Sequence, residues 1–408
     1  MIALSLRLVN IYIFLLTLLL LSAILPQNKL RTQEMKKVIF DTDGGGDDLW
    51  ALLLLLDAHN CGEIELLGIT TCYGNTSLNN ASNNVLNFLY HCGNSNIPVF
   101  KGASKTLNGL RGLADDAFGS DGLSQGSLPK SNRDFSPYSA HNFLTDTLDT
   151  NDTISIIATG PATNIARVFK ENPELDTSNV DLLWFGGAVF PTGGDNKLIP
   201  LGDKKFNQGN ITHAMEFNAG NDVPASNIIT NLKNANVTIM PMDPCQHMVF
   251  DTVVQNELTT MMQAIDRTDI AKNLIAFLQD VIALDKIKQK MDGTPIYDAQ
   301  TVQYFLNPEL FVKTTPLKSV RFEDKSNLVP AFLDASDFSP HLLKDHGLMS
   351  VETCQKGDKS NIHIVHGPFT FKKTPSAHAV ERHSSLGQER AKDLVTRVTS
   401  TSRKIIFT

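Results

Sequence analysis

The chain lacks any basic concentration in its main body. Its 408 residues carry 36 Lys and Arg against 43 Asp and Glu, a net charge of −7. That balance argues against nucleic acid as a partner. No segment repeats, which excludes solenoid and array architectures. Cysteine is sparse: Cys61, Cys72, Cys92, Cys245 and Cys354 show no metal-binding spacing, and the odd count leaves at least one unpaired within the chain. The apolar run from Ile11 to Leu25, after Arg7 and ending at Pro26, is of signal-peptide length and short for a membrane span. Residues 1–26 are therefore expected to be a signal peptide cleaved near Ser22 and Ala23, or else an uncleaved anchor. A cleaved leader implies a secreted or luminal protein. Residues 372–408 are polar with excess Lys and Arg and read as a flexible tail.

What is present is a core. An apolar fraction of 42% supports a sizeable core, and 408 residues suit one large α/β domain or two modest ones. Strand-like runs alternate with helix-like stretches from about Lys36 to about Phe371. Leu66–Thr71, Thr153–Ala158, Val180–Phe185 and Val237–Met240 read as strands. Asn79–His91, Ala162–Lys170 and Ala271–Lys290 read as helices, the last being the longest helical pattern. The alternation predicts an α/β, Rossmann-like domain over residues 36–371, with a mainly parallel central sheet flanked by helices. Ala114–Ser136 and Pro191–Asn210, rich in Gly, Asp, Asn, Lys and Pro, read as insertions or lids.

The densest chemistry lies at Asp41-Thr42-Asp43-Gly44-Gly45-Gly46-Asp47-Asp48. Four carboxylates fall between the apolar Val38–Phe40 and the continuous run Leu49–Leu56. The loop sits where a strand hands over to a buried helix, the place where α/β sheets gather ligands. Carboxylates so close repel unless a cation neutralises them or some take up protons. Hard divalent cations with oxygen ligands fit. Helix N-capping alone accounts for Asp47 and Asp48 but leaves Asp41 and Asp43 unexplained. An EF-hand fails, because Leu52 stands where the bidentate Glu belongs.

Further motifs follow in order. They are Gly68-Ile69-Thr70-Thr71-Cys72-Tyr73-Gly74-Asn75, then Ala158-Thr159-Gly160-Pro161-Ala162-Thr163-Asn164-Ile165-Ala166. Next come Asn210, Ala214-Met215-Glu216-Phe217-Asn218 and Asp222, and last Tyr297-Asp298-Ala299 before Asn307-Pro308-Glu309-Leu310-Phe311. Together with the acidic loop, these resemble the inosine–uridine-preferring nucleoside hydrolase family from about residue 37 to 330. Gly44 stands where that family commonly has proline.

The resemblance implies Ca²⁺-dependent hydrolysis of the N-glycosidic bond of ribonucleosides, giving free base and ribose. It implies that Asp43, Asp48, Asp298 and the Thr159 carbonyl hold Ca²⁺. Asp43 would also be the general base for the attacking water, with Asp41 ordering the loop. Asp47, Asn75, Asn210, Glu216 and Asn218 would hold ribose hydroxyls. Where the family often has His, this chain has Tyr297 before the last metal Asp, and Phe118 before Gly119. These aromatics suggest a lean toward purines, with Tyr297 stacking on the base or donating a proton, although core packing explains Phe118 equally well. The same family reading sets the partner as a small nucleoside, with a homo-oligomer allowed. Glycans at the sequons of Asn75 and Asn210 would block the pocket, so both are expected to be unused; Asn80, Asn151 and Asn236 complete the sequons.

Two other readings compete. Asp41-Thr42-Asp43 after an apolar run also resembles a haloacid-dehalogenase-type phosphatase, with Asp41 as nucleophile and Mg²⁺ as metal. A non-catalytic nucleoside- or calcium-binding protein on the same fold is the third.

Overall fold

The structure, a computed structural model, describes residues 35–110, 118–188, 215–245, 248–264, 268–288, 292–311, 313–323, 348–353, 359–366 and 389–398. The expected leader and Asn210 lie outside the described residues, as does the whole of the second expected insertion. From Lys36 onward the chain forms one unit.

Eleven strands are described: β1 (Lys36–Thr42), β2 (Ile64–Thr71), β3 (Val99–Lys101), β4 (Ile154–Ala158), β5 (Val180–Phe185), β6 (Asn236–Met240), β7 (Val249–Asp251), β8 (Gly293–Pro295), β9 (Lys313–Glu323), β10 (Leu348–Thr353) and β11 (Ile362–His366). Nine of them form one sheet in the order β10-β9-β11-β6-β5-β4-β1-β2-β3. The sheet is parallel from β3 through to β11, and β9 runs antiparallel to both of its neighbours. This is the expected mainly parallel α/β architecture.

The order 3-2-1-4-5-6 places a topological switch point between β1 and β4, and such points open a crevice at the carboxyl ends of the strands. Register makes those ends level. Asp41 lies opposite Thr70 on β2 and Ala158 on β4, and Ala158 lies opposite Trp184 on β5. The loops after β1, β2, β4 and β5 therefore leave the sheet at one height. Each carries a motif singled out from sequence.

The acidic loop runs directly into the helix Gly46–Asn60, whose residues are buried from Gly46 to Ala58. A helix with no polar face has to lie between layers, as the continuous leucines predicted. Each fully buried leucine contributes about 1.5–3 kcal/mol. This helix supplies the larger core cluster together with Phe250, Phe277 and Ile296. Its start is fixed by Asp48, whose carboxylate accepts the Gly45 N–H at 2.8 Å.

Two expectations about extent change. The single long helix expected over Ala271–Lys290 is two helices, Thr268–Ala276 and Gln279–Lys288. The break buries Phe277 and Leu278 in the core, with Phe277 packed edge-on against Phe88. The tail expected to be flexible contains a helix at residues 389–398. Leu394, Val395 and Val398 are buried in the same cluster as the leucine helix, and Arg390 is buried beside them. The spacing 390, 394, 398 is one helical stripe, hidden among Lys392, Arg397 and Glu389.

Candidate active site

Asp41 is the penultimate residue of β1 and is wholly buried. Its Oδ2 accepts from Thr70 Oγ1 at 2.5 Å and from Asn164 Nδ2 at 2.8 Å. Asn164 also donates to the Thr71 carbonyl and accepts the Ala103 N–H, so it pins the ends of three strands around Asp41. Burial pushes the Asp41 carboxyl up to about 7, against the opposing effect of those two donors. Asp41 is thus a loop-ordering group, as expected. The phosphatase reading is disfavoured here, because its nucleophile would be wholly enclosed, with Oδ2 held by Thr70 and Asn164.

The next carboxylates lie against one another in pairs, Asp43 beside Asp48 and Asp47 beside Asp298. One oxygen each from Asp47, Asp48 and Asp298 lie within 4.8 Å of one another. Burial is the largest cause raising Asp43, Asp47 and Asp298, and the neighbouring carboxylates raise each further; Asp47 reaches about 8. Two ionised carboxylates held this close repel, so each pair needs either a proton or a cation to remain buried.

The pocket's other groups hold these carboxylates in place. Asn75 donates to Asp43 Oδ2 through its backbone N–H and to Asp43 Oδ1 through Nδ2. Nδ2 also lies 3.3 Å from Asp48 Oδ2. Asp48 Oδ1 accepts from Thr159 Oγ1 at 2.7 Å and from Thr42 Oγ1. The Thr159 N–H donates to the Asp41 carbonyl, and its own carbonyl accepts from Asn218 Nδ2 at 2.7 Å. Asn218 Nδ2 also reaches the Phe185 carbonyl at the end of β5. Trp184 Nε1 donates to the Gly160 carbonyl, which secures the turn after Thr159.

The structure therefore brings together Asp43, Asp47, Asp48, Asn75, Thr159, Asn218 and Asp298. Asp48 and Asp298 converge as expected. The third convergent carboxylate is Asp47, which sequence had assigned to ribose, while Asp43 is turned toward Asn75. Glu216 caps the helix Phe217–Asn221, accepting from the N–H groups of Asn218, Ala219 and Gly187 at 2.7–2.9 Å. Burial raises it to about 7 against those donors.

Tyr297 and Asp298 open the helix Tyr297–Leu306. The Tyr297 ring stacks on Phe185 at 5.3 Å and 27°. Phe185 was not anticipated, although its place before the glycines at the end of β5 marked a strand terminus on the site edge. Phe118 packs in the leucine-helix cluster, the core alternative that sequence had left open.

The donors are all oxygens, as a hard divalent cation requires. Asp47 Oδ1 is buried and accepts no hydrogen bond among the described residues. A buried, unpaired carboxylate oxygen beside two carboxyl pairs fits a cation.

A family model described as inosine-uridine preferring nucleoside hydrolase matches residues 38–388. The pyrimidine-specific ribonucleoside hydrolase RihA of Citrobacter koseri is 30% identical over 280 residues, covering 67% of this chain and 80% of that protein. Uridine nucleosidase 1 of Arabidopsis thaliana is 32% identical over 215 residues, covering 52% of this chain and 62% of its own length. Among solved structures, a purine-preferring ribonucleoside hydrolase from Gardnerella vaginalis superposes with a TM-score of 0.67 at 20% identity. That match covers 90% of this chain and 100% of the other, a likeness of fold.

Proposed function

The chain belongs to the inosine-uridine preferring nucleoside hydrolase family, and from that premise we propose that it is a calcium-dependent hydrolase of ribonucleosides with a lean toward purines. The hydrolysis of ribonucleoside N-glycosidic bonds comes with the family. The observation that carries the calcium reading is the buried set Asp47, Asp48 and Asp298 beside Asp43, all oxygen donors.

Asp43, Asp48, Asp298 and the Thr159 carbonyl would hold the ion, and Asp47 adds a further convergent carboxylate. A bound calcium ion supplies the positive charge that makes a water acidic and orients ribose hydroxyls. Asp43 takes the proton from the attacking water, and Asn75 fixes its carboxylate for that task. Asn75 and Asn218 touch the proposed cation ligands Asp43 and Thr159 directly, so hydroxyl-binding and cation-binding groups share one pocket. As the glycosidic bond lengthens, positive charge grows on the ribose, and the carboxylates stabilise it where it develops. Glu216 would meet a ribose hydroxyl with its carboxylate orientation already set by the helix it caps.

On the leaving-group side, Tyr297 stands next to Asp298 and against Phe185. The purine lean rests on that aromatic pair and on the lack of His at positions 118 and 297. Named relatives with pyrimidine substrates pull the other way. The proposal extends to a secretory or luminal setting through the leader-like run Ile11–Leu25.

The test is a competition assay with inosine, guanosine, adenosine, uridine and cytidine in calcium-containing buffer. Higher kcat/KM for the purine nucleosides is expected. Faster cleavage of uridine and cytidine contradicts the lean, and no free base from any of the five contradicts the activity.

A further inference from the structure

The helix at residues 389–398 begins just past the residues that the family model matches. It carries a fully buried cation, Arg390. The Arg390 guanidinium donates through one nitrogen to the Pro244 carbonyl at 2.9 Å and to Gln300 Oε1 at 3.1 Å. Its face lies 4.3 Å above the Phe311 ring. The acceptors belong to two different parts of the site edge. Pro244 follows β6 in the segment Met242–Cys245. Gln300 lies two residues after Asp298 on the helix Tyr297–Leu306.

The ties continue on both sides. Gln300 Nε2 donates to the Cys245 and Met248 carbonyls, so its side chain spans the same two elements. Gln303 Nε2 donates back to the Arg390 carbonyl and to Asp393. Asn307 Nδ2 donates to Asp393 as well. Phe311, under the guanidinium, shares a cluster with Tyr297 and Phe185.

A buried charge is an expensive way to gain stability, and an apolar side chain of similar volume does as well or better. What a guanidinium adds is a planar, pre-organised set of donors that fixes the relative placement of its acceptors. Here the acceptors lie on the helix that carries Asp298 and on the loop facing it.

We propose that Arg390 is a positioning residue for the cation site, holding the Asp298 helix against the Met242–Cys245 segment so that Asp298 meets Asp47 and Asp48. The inference rests on the proposed reading of those carboxylates as cation ligands. It goes beyond that reading by assigning a role to a helix outside the family match. The same helix has a second tie that serves as an internal control. Arg397 pairs with Asp57, Glu63 and Asp393, and so joins the helix to the far end of the leucine helix.

The test measures calcium binding to the full chain by calorimetry, together with kcat and KM for inosine and uridine. Arg390→Met keeps the volume and removes the donors. It is expected to weaken calcium binding by about tenfold, the lower end of what losing a direct partner of a ligand costs, because Arg390 acts one step further out. It is expected to lower kcat more than it raises KM at saturating calcium. Gln300→Met removes the acceptor of Arg390 together with the two bonds to the Cys245 and Met248 carbonyls, and is expected to lose at least as much calcium affinity as Arg390→Met. Arg397→Gln cuts the other tie and is expected to leave calcium affinity within about twofold of wild type.

Equal calcium affinity in wild type, Arg390→Met and Gln300→Met overturns the inference and leaves the cation reading standing. Should Arg390→Met not fold, Arg390→Lys, which keeps the charge and loses the planar fork, decides, and calcium affinity equal to wild type in that variant overturns the inference. An equal loss in Arg397→Gln also overturns the inference, because the helix would then act only through its docking. Absence of calcium binding to the wild type overturns the cation reading, and the inference with it.

Discussion

Asn75 holds Asp43 with both of its amides: the backbone N–H reaches Oδ2 at 2.8 Å, and the side-chain Nδ2 reaches Oδ1 at 3.1 Å. Both oxygens of the proposed base are thereby fixed by one residue from the loop after β2. The contact is possible because the residue immediately before the asparagine is glycine. A Cβ at Gly74 would overlap Asp43 Oδ2.

Gly74→Ala is therefore expected to swing the Asp43 carboxylate off Asn75 while leaving the carboxylate in the protein. Turnover should fall by about a hundredfold or more, in the range set by losing a positioned general base. Asp43→Asn should fall at least as far. Steady-state kinetics on both variants checks this. Wild-type kcat in folded Gly74→Ala contradicts the role given to the Asp43–Asn75 contact.

Gly44 has φ +66°, and a Cβ there would meet the Ala81 backbone at 2.6 Å. Its N–H donates to Thr42 Oγ1 at 3.1 Å. Proline holds φ near −65° and has no N–H. Gly44→Pro, which installs the residue common at this position in the family, is expected to destabilise the protein by more than about 1 kcal/mol and to lower activity. Urea unfolding of the variant measures it, and an unchanged midpoint contradicts the observed loop conformation.

Burial raises the Glu216 carboxyl from 4.5 to about 7, with the helix N–H groups opposing. The folded protein therefore favours the protonated form. That contribution to stability is complete below about pH 4.5 and is lost as pH rises through 7. Glu216→Gln is neutral throughout. Between pH 5 and pH 8, the stability of wild type relative to Glu216→Gln is expected to fall by up to about 3 kcal/mol, read by urea unfolding at each pH. A gap that does not change with pH means that Glu216 is ionised across the range.

The Nδ2 atom that would carry a glycan at Asn75 is occupied by Asp43 and Asp48. Asn151 is exposed after the helix Ala140–Leu148. Expression through a secretory route should give glycan at Asn151 and none at Asn75 in a glycopeptide map. Occupancy of Asn75 in active protein contradicts the pocket.

Much of the site could be read from the chain because its residues fall in short motifs at strand ends. Asp41–Asp48 at the end of β1, Thr159 after β4 and Asp298 at a helix start required only the parallel order to bring them together. The leucine run Leu49–Leu56 announced a helix buried on all sides. What could not be read depends on side-chain direction. Nothing local distinguishes Asp43, which turns to Asn75, from Asp47, which turns to Asp298. Glu216 looked like a ligand for hydroxyls, and its carboxylate also caps its own helix. Phe185 was one apolar residue among several at the end of β5 until Tyr297 stacked on it. In the helix at 389–398, the stripe of Arg390, Leu394 and Val398 is diluted by charged neighbours. A buried arginine also has no signature apart from the acceptors that tertiary structure brings to it.

The central claim is that a buried acidic pocket hydrolyses ribonucleosides with calcium. It is tested most directly by following free-base release from inosine and uridine with purified full-length protein, before EDTA, after EDTA and after calcium is restored. The account predicts release that EDTA abolishes and added calcium recovers, with no recovery in Asp43→Asn. Release at an undiminished rate in EDTA would contradict it.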